Sequence, residues 1–149
     1  TGDRDVVTGE DIQQVCTTQT QNKIFDMVRA VTEKNQKRAL DLYYDLLTLK
    51  EPPMRILFLL AKQFRQICLT KKMSQEGLSQ TEIASKLGVP SFVVRNLASC
   101  ARSYTVEELE NAVRDFVDAE EAVKTGTLGD VLSVELLIVK YSSARAVRA

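Results

Sequence analysis

Apolar residues recur at intervals of three and four along almost the whole chain, and nowhere do they alternate strictly over the length of a strand. That periodicity predicts an all-α helical bundle of about seven helices, with no sheet. Ile24, Phe25, Val28 and Val31 stripe one helix that ends near Lys34-Asn35, where Asn35 is placed to cap the next. Ala39, Leu40, Tyr43, Leu46 and Leu47 supply the apolar face of that next helix, and Glu51-Pro52-Pro53 ends it. Pro53 suits the first turn of a third helix, because its missing N–H would have no intrahelical acceptor there. The third helix, from Pro53 to about Lys72, is the most apolar. Ile56, Leu57, Leu59, Leu60, Phe64, Ile67 and Cys68 cover much of its circumference, which predicts a central position.

Local signals place the remaining elements. Ser79 with Glu82 forms a capping box for a short helix ending at Gly88, Pro90 begins another through Ser103, and Thr105 with Glu108 repeats the box. The helix it opens runs to about Lys124 on Leu109, Ala112, Val113, Phe116 and Val117. Thr125-Gly126-Thr127-Leu128-Gly129 breaks it, and Asp130 is expected to cap a last helix rich in Val, Leu and Ile. Ahead of Ile24 the pattern is weaker. Thr8 with Asp11 approximates a capping box for a short helix, and the polar run Thr17-Thr18-Gln19-Thr20-Gln21 reads as a linker, with a domain boundary there.

Composition narrows the class further. The 149 residues are 44% hydrophobic and 27% charged, with six Gly and three Pro, as expected of an ordered domain rather than a disordered segment. The longest unbroken apolar stretch, Ile56 to Ala61, is far too short to cross a membrane, and Thr1-Gly2-Asp3-Arg4-Asp5 has no signal-peptide pattern. Beginning without Met, the chain reads as a piece excised from a longer protein. Cys16, Cys68 and Cys100 are odd in number and set among apolar residues, which argues against a disulfide framework and for a reducing cytoplasm.

Chemistry is scarce. The chain has no His, which removes the Ser-His and Cys-His nucleophile pairs and the commonest transition-metal ligand. No phosphate-binding Gly-rich loop is present. Asp115, Asp118, Glu120 and Glu121 share helix faces, but acids on an amphipathic helix form a solvated face. No catalytic residue, metal site or cofactor is therefore expected.

Residues 79–102 have the look of a helix-turn-helix, with Ala84 at the crossing, Gly88 at the turn and Ile83, Leu87, Val94 and Leu97 as its core. A DNA-binding regulator is thus the alternative reading. The outward set Ser91, Arg95, Asn96, Ser99 and Arg102 gives it a thin electrostatic footprint, and the whole chain balances 20 basic against 20 acidic residues. Charge is nevertheless segregated. Arg55, Lys62, Arg65, Lys71 and Lys72 lie between Pro52 and Lys72 without an acid, whereas residues 105–130 hold eight acids against Arg114 and Lys124. The two elements can pair within one bundle, or the basic face of one subunit can meet the acidic face of the next.

An ordered set of motifs resembles the C-terminal part of the δ subunits of bacterial DNA polymerase III, components of the sliding-clamp loader. They are Val7-Thr8-Gly9-Glu10-Asp11-Ile12, Ile24-Phe25-Asp26-Met27-Val28 followed by Ala30, and Ala39-Leu40-Asp41-Leu42-Tyr43-Tyr44-Asp45-Leu46-Leu47. Glu51-Pro52-Pro53-Met54-Arg55-Ile56-Leu57, Gln63-Phe64-Arg65, the stretch from Ile83 to Val89, Val123-Lys124-Thr125-Gly126 and Glu135 continue the match. The resemblance implies that residues 1–20 are the end of a lid domain plus linker. Residues 21–149 would be a helical collar domain that holds the loader together with subunits of gamma/tau and delta-prime type. It also implies primer-template DNA in the full complex, and contact with the sliding clamp only through an N-terminal domain outside this chain. The hairpin at 79–102 would then be structural. Lys62, Gln63, Arg65, Arg102 and Lys124, polar residues inside otherwise structural helices, are the candidate subunit contacts.

Overall fold

The computed structural model describes the backbone of residues 7–143 and the side chains from Thr20 onward. Seven α-helices, and no strands among the described residues, follow one another: α1 (Val7–Thr32), α2 (Gln36–Thr48), α3 (Pro53–Gln75), α4 (Gln80–Leu87), α5 (Ser91–Ala101), α6 (Val106–Lys124) and α7 (Asp130–Ser142). Local chemistry sets most of the boundaries. Asn35 Oδ1 accepts from the Arg38 N–H at 3.3 Å, and Pro53 opens α3. Both capping boxes are closed, with Ser79 and Glu82 at α4 and Thr105 and Glu108 at α6. Gly88 ends α4 at φ 72°, a left-handed conformation that costs glycine little.

Three expectations change. The polar run 17–21 is not a linker: α1 passes through it unbroken to Thr32. No Gly or Pro interrupts the run, and Thr20 is buried with its hydroxyl donating to the Glu51 carboxylate at the α2–α3 corner. A docked helix tolerates the modest helix propensity of Thr and Gln. The helix already includes Val7, so Thr8 does not precede it, and the expected Thr8–Asp11 side-chain pairing lies outside the described residues. Asp130 is the first residue of α7 rather than its cap; Gly129 holds the cap position, and the Asp130 carboxylate accepts from the Val131 N–H at 2.7 Å.

α3 is central, packing against α1, α4, α5, α6 and α7, while α2 lies between α1 and α7. Its expected core residues Ile56, Leu57, Leu59, Leu60, Phe64, Ile67 and Cys68 are all buried. At its middle Phe64 meets Phe116 of α6, Tyr104 ahead of α6 and Tyr141 of α7, with ring centroids 5.2, 6.1 and 6.1 Å away. Hydrogen bonds fasten the chain around these rings. Tyr104 Oη donates to the Tyr141 carbonyl at 2.8 Å, Lys34 Nζ to the same carbonyl at 3.1 Å, and Ser103 Oγ to the Thr32 carbonyl at 2.6 Å. Each accepting carbonyl lies in the last turn of a helix, where intrahelical donors run out. Lys34 reaches this point from a left-handed backbone (φ 63°), and its ammonium also sits 4.3 Å from the Tyr104 ring centroid.

The α4–α5 hairpin has its own small core of Ile83, Ala84 and Val94, with Leu87 and Val89 against it. Leu97, expected there, belongs to the main core instead.

Replacing Phe64 with Ala should destabilise the chain by about 3–5 kcal/mol, the usual loss for an aromatic ring removed from a packed core. Urea unfolding followed by circular dichroism measures it, and a loss below about 1 kcal/mol would show that the rings are not a structural centre.

Candidate subunit interface

The inner side of α3 is so fully buried that its outward positions stand out. Arg55, Phe58, Lys62, Arg65 and Leu69 are exposed at helical intervals of three and four and form one stripe. Phe58 is 59% exposed and Leu69 37%, with the cations on either side. Arg55 reaches the Glu51 carboxylate, 3.7 Å away. Lys62 and Arg65 make no ion pair among the described residues. Val117 of α6, 54% exposed, adds a third apolar side chain to the surface that includes α3 and α6.

The acids of α6 are partly engaged inside the bundle. Lys72 of α3 meets Glu110 at 2.6 Å, which holds the Glu110 carboxyl below its ordinary range and the Lys72 ammonium above its own. Lys140 of α7 lies 2.8 Å from Asp115, whose carboxylate also accepts from the Tyr141 hydroxyl. Lys124 pairs with Glu120 one turn earlier, at 3.4 Å. Of the two readings of the segregated charge, pairing within the bundle is seen between α3 and α6 at Lys72, whereas Lys62 and Arg65 have no ion-pair partner among the described residues.

The five candidate residues do not form one cluster. Lys62 and Arg65 share the outward stripe of α3. Gln63 is half-buried beside them, and its Oε1 is buried without a hydrogen-bond partner among the described residues. Arg102 lies beyond α5 and lines an open cleft with Lys71, Gln75 and the first residues of α6. Lys124 ends α6 at the other extreme of that helix, roughly 25 Å away along its axis. α3 and α6 run antiparallel, since Lys72 meets Glu110 while Phe64 meets Phe116. Val117 was read as part of the apolar face of α6, and Phe58 and Leu69 were assigned no role. A signal was available for two of them: Phe58 and Leu69 keep helical register with Arg55, Lys62 and Arg65 rather than with Leu60, Phe64 and Ile67.

The helix-turn-helix reading gains nothing from the geometry. The outward side of α5 exposes Ser91, Phe92, Arg95, Ser99 and Arg102, two cations around a large apolar ring, which is poor equipment for a phosphate backbone. Among the described residues, no group of His, Cys, Asp or Glu could hold a metal ion, and no helix is long and apolar enough to cross a membrane.

The class of protein follows from the arrangement of the helices. It is the all-α bundle found in the Bacillus subtilis DNA clamp loader delta protein (YqeN), which the chain matches with a TM-score of 0.78 at 30% identity, over 83% of this chain and 36% of that one. The sequence is 30% identical over 139 residues to the DNA polymerase III subunit delta of Bacillus subtilis (strain 168). That match covers 93% of this chain, which spans 40% of the relative's length. Residues 21–141 match the family described as the DNA polymerase III delta subunit, C-terminal domain, and the chain belongs to that family.

The thiols are sealed in. Cys68 and Cys100 are buried and unpaired, and burial raises both pKa values, so less thiolate forms at a given pH. In a chain carrying Cys16→Ser, a disulfide reagent at pH 8 should modify the two thiols at least about tenfold more slowly than free cysteine, and rapidly once the chain is unfolded. Fast labelling of the folded chain would contradict this burial.

Proposed function

We propose that this domain assembles a clamp-loader delta subunit with other loader subunits, of gamma/tau and delta-prime type, into a collar during DNA replication in the cytoplasm. In this role the domain is non-catalytic and needs no cofactor. Residues 21–149 form the collar part, and residues 1–20 end the lid. The sliding clamp is engaged only by parts of the protein outside this chain, and primer-template DNA belongs to the whole complex.

The observation that carries this reading is the outward stripe of α3. Exposed Phe58 and Leu69 interleaved with Lys62 and Arg65 make a surface left open among the described residues. Aromatic and Arg side chains are the residue types most often found at the centres of protein interfaces. Unpaired cations beside them supply attraction to an acidic partner surface before contact is made. Family membership supports the same reading, and so does a sequence without histidine. Gln63, with a buried unpartnered oxygen beside the stripe, can contribute a hydrogen bond at its edge. Arg102 and Lys124, far from the stripe and from each other, serve separate contacts.

Mixed at micromolar concentration with loader subunits that retain their own helical C-terminal domains, the chain should co-migrate with at least one of them in size-exclusion chromatography. Lys62→Glu with Arg65→Glu should weaken that association by about tenfold or more while leaving helicity unchanged, as expected for reversed charges in an interface. Migration alone in every mixture would sink the assembly role. Unchanged association of the double variant would move the contact away from α3.

A further inference from the structure

α1 runs without a break from Val7 to Thr32, 26 residues, and forms a hairpin with α2. Residues 33–35 alone separate the two helices. The 13-residue α2 doubles back along α1 for about 20 Å, which brings its end level with Thr20. The backbone of Val7–Gln19 therefore continues past the end of α2 for about another 20 Å. From Glu10 to Thr32 the chain contains neither Gly nor Pro, the usual sites of a bend.

A fixed post stands where α1 leaves α2 behind. α2 closes with the Lys50 N–H on the Leu47 carbonyl at 2.9 Å and the Glu51 N–H on the Leu46 carbonyl at 3.1 Å. Lys50 takes the left-handed backbone that this closure requires, at φ 69°. Pro52 and Pro53 follow at once, and their rings restrict the backbone on the other side of Glu51. The Glu51 side chain is 17% exposed, and its carboxylate lies 3.7 Å from Arg55. That carboxylate accepts the hydroxyl of Thr20, a residue only 4% exposed, at 2.5 Å. Hydrogen bonds to an ionised acceptor are among the stronger ones. This one falls at the level where support by α2 ends, and so sets the direction of the helix beyond it.

We propose that α1 is a strut between the bundle and the lid side of the protein, with the Thr20–Glu51 contact as the pin that fixes its angle. A flexible connection would let the two parts swing independently. A continuous helix, pinned where it leaves the bundle, passes a rotation of one part to the other. The inference goes beyond the assembly reading and rests on it only in taking residues 1–20 as the end of the lid.

The test measures distances by pulsed electron spin resonance in the intact subunit, with spin labels at Glu10→Cys and Asp45→Cys and the other reactive cysteines replaced. One narrow distance distribution is expected. Thr20→Val keeps the shape of the side chain and removes its hydroxyl. It should raise the share of bent conformers about tenfold, the factor that a hydrogen bond to a charged group is worth in an equilibrium. Thr20→Ser keeps the donor and should leave the distribution narrow, and circular dichroism should be unchanged in both. One Ala inserted between Gln14 and Val15 should turn the leading part by about 100°, moving the distance without broadening it. A broad distribution in the unaltered subunit would overturn the proposal, as would equal widths for Thr20→Val and Thr20→Ser. An insertion that leaves the distance unmoved would do the same, because a linker and not a strut would have absorbed it. Co-migration of the same variants with other loader subunits is read separately, so failure of the pin leaves the assembly role standing.

Discussion

The burial of the Phe64 ring among Phe116, Tyr104 and Tyr141 is the contact on which the other helices depend. It joins the central helix to α6 and α7 and to the turn between α5 and α6, and it does so with side chains that each bury a large apolar area. The polar tips of the two tyrosines are used as well. Tyr104 donates to the end of α7, and Tyr141 donates to Asp115 of α6, so neither hydroxyl is left unsatisfied. Lys34 completes the arrangement from α1, covering the Tyr104 ring and the same α7 carbonyl. An apolar residue could take the left-handed position of Lys34 no more easily, and would lose both contacts.

That centre explains why the surface of α3 is so sharply divided. A helix packed by five neighbours keeps only a narrow outward strip, and whatever occupies it cannot be serving the core. Phe58 and Leu69 sit on that strip with two cations that find no acid among the described residues, although α6 beside it is rich in carboxylates. The geometry accounts for this: α6 gives Glu110 to Lys72 near one end of the antiparallel pair, and Asp115 turns away toward α7. Among the described residues, Lys62 and Arg65 are left unpaired by position, not by lack of acids on the neighbouring helix.

Much of the fold was legible in the sequence because its signals are local. Capping boxes at Ser79 and Thr105, Asn35 ahead of α2, Pro53 at α3 and Gly88 after α4 act within a few residues, and each is found as read. The errors arise where a distant contact decides. Nothing near Thr20 in the chain announces that Glu51 will accept its hydroxyl, so a polar run resembled a linker. Likewise, Leu132, Leu136 and Val117 have the same local appearance as buried Leu137 and Phe116, and only packing separates them. The grouping of the candidate contacts was only partly legible. Lys62 and Arg65 were chosen because they are polar within an apolar helix, and they share one outward stripe; Arg102 and Lys124 met the same criterion, yet the fold places them at opposite ends of α6.

The apolar and cationic strip on α3 gives the domain a direction. If that strip serves assembly, a two-fold pairing of the strip with itself would bring cations onto cations, an arrangement that is penalised. Contact with a different, acidic surface of another subunit is the arrangement that satisfies it. Long-range charge would then select the order of neighbours and the approach, within the roughly 8 Å reach that physiological salt allows. The buried Leu, Phe and Tyr surface would supply most of the holding energy, since exposed ion pairs contribute little by themselves. Such a division of labour suits a domain without catalytic chemistry, whose specificity lies in which face meets which partner.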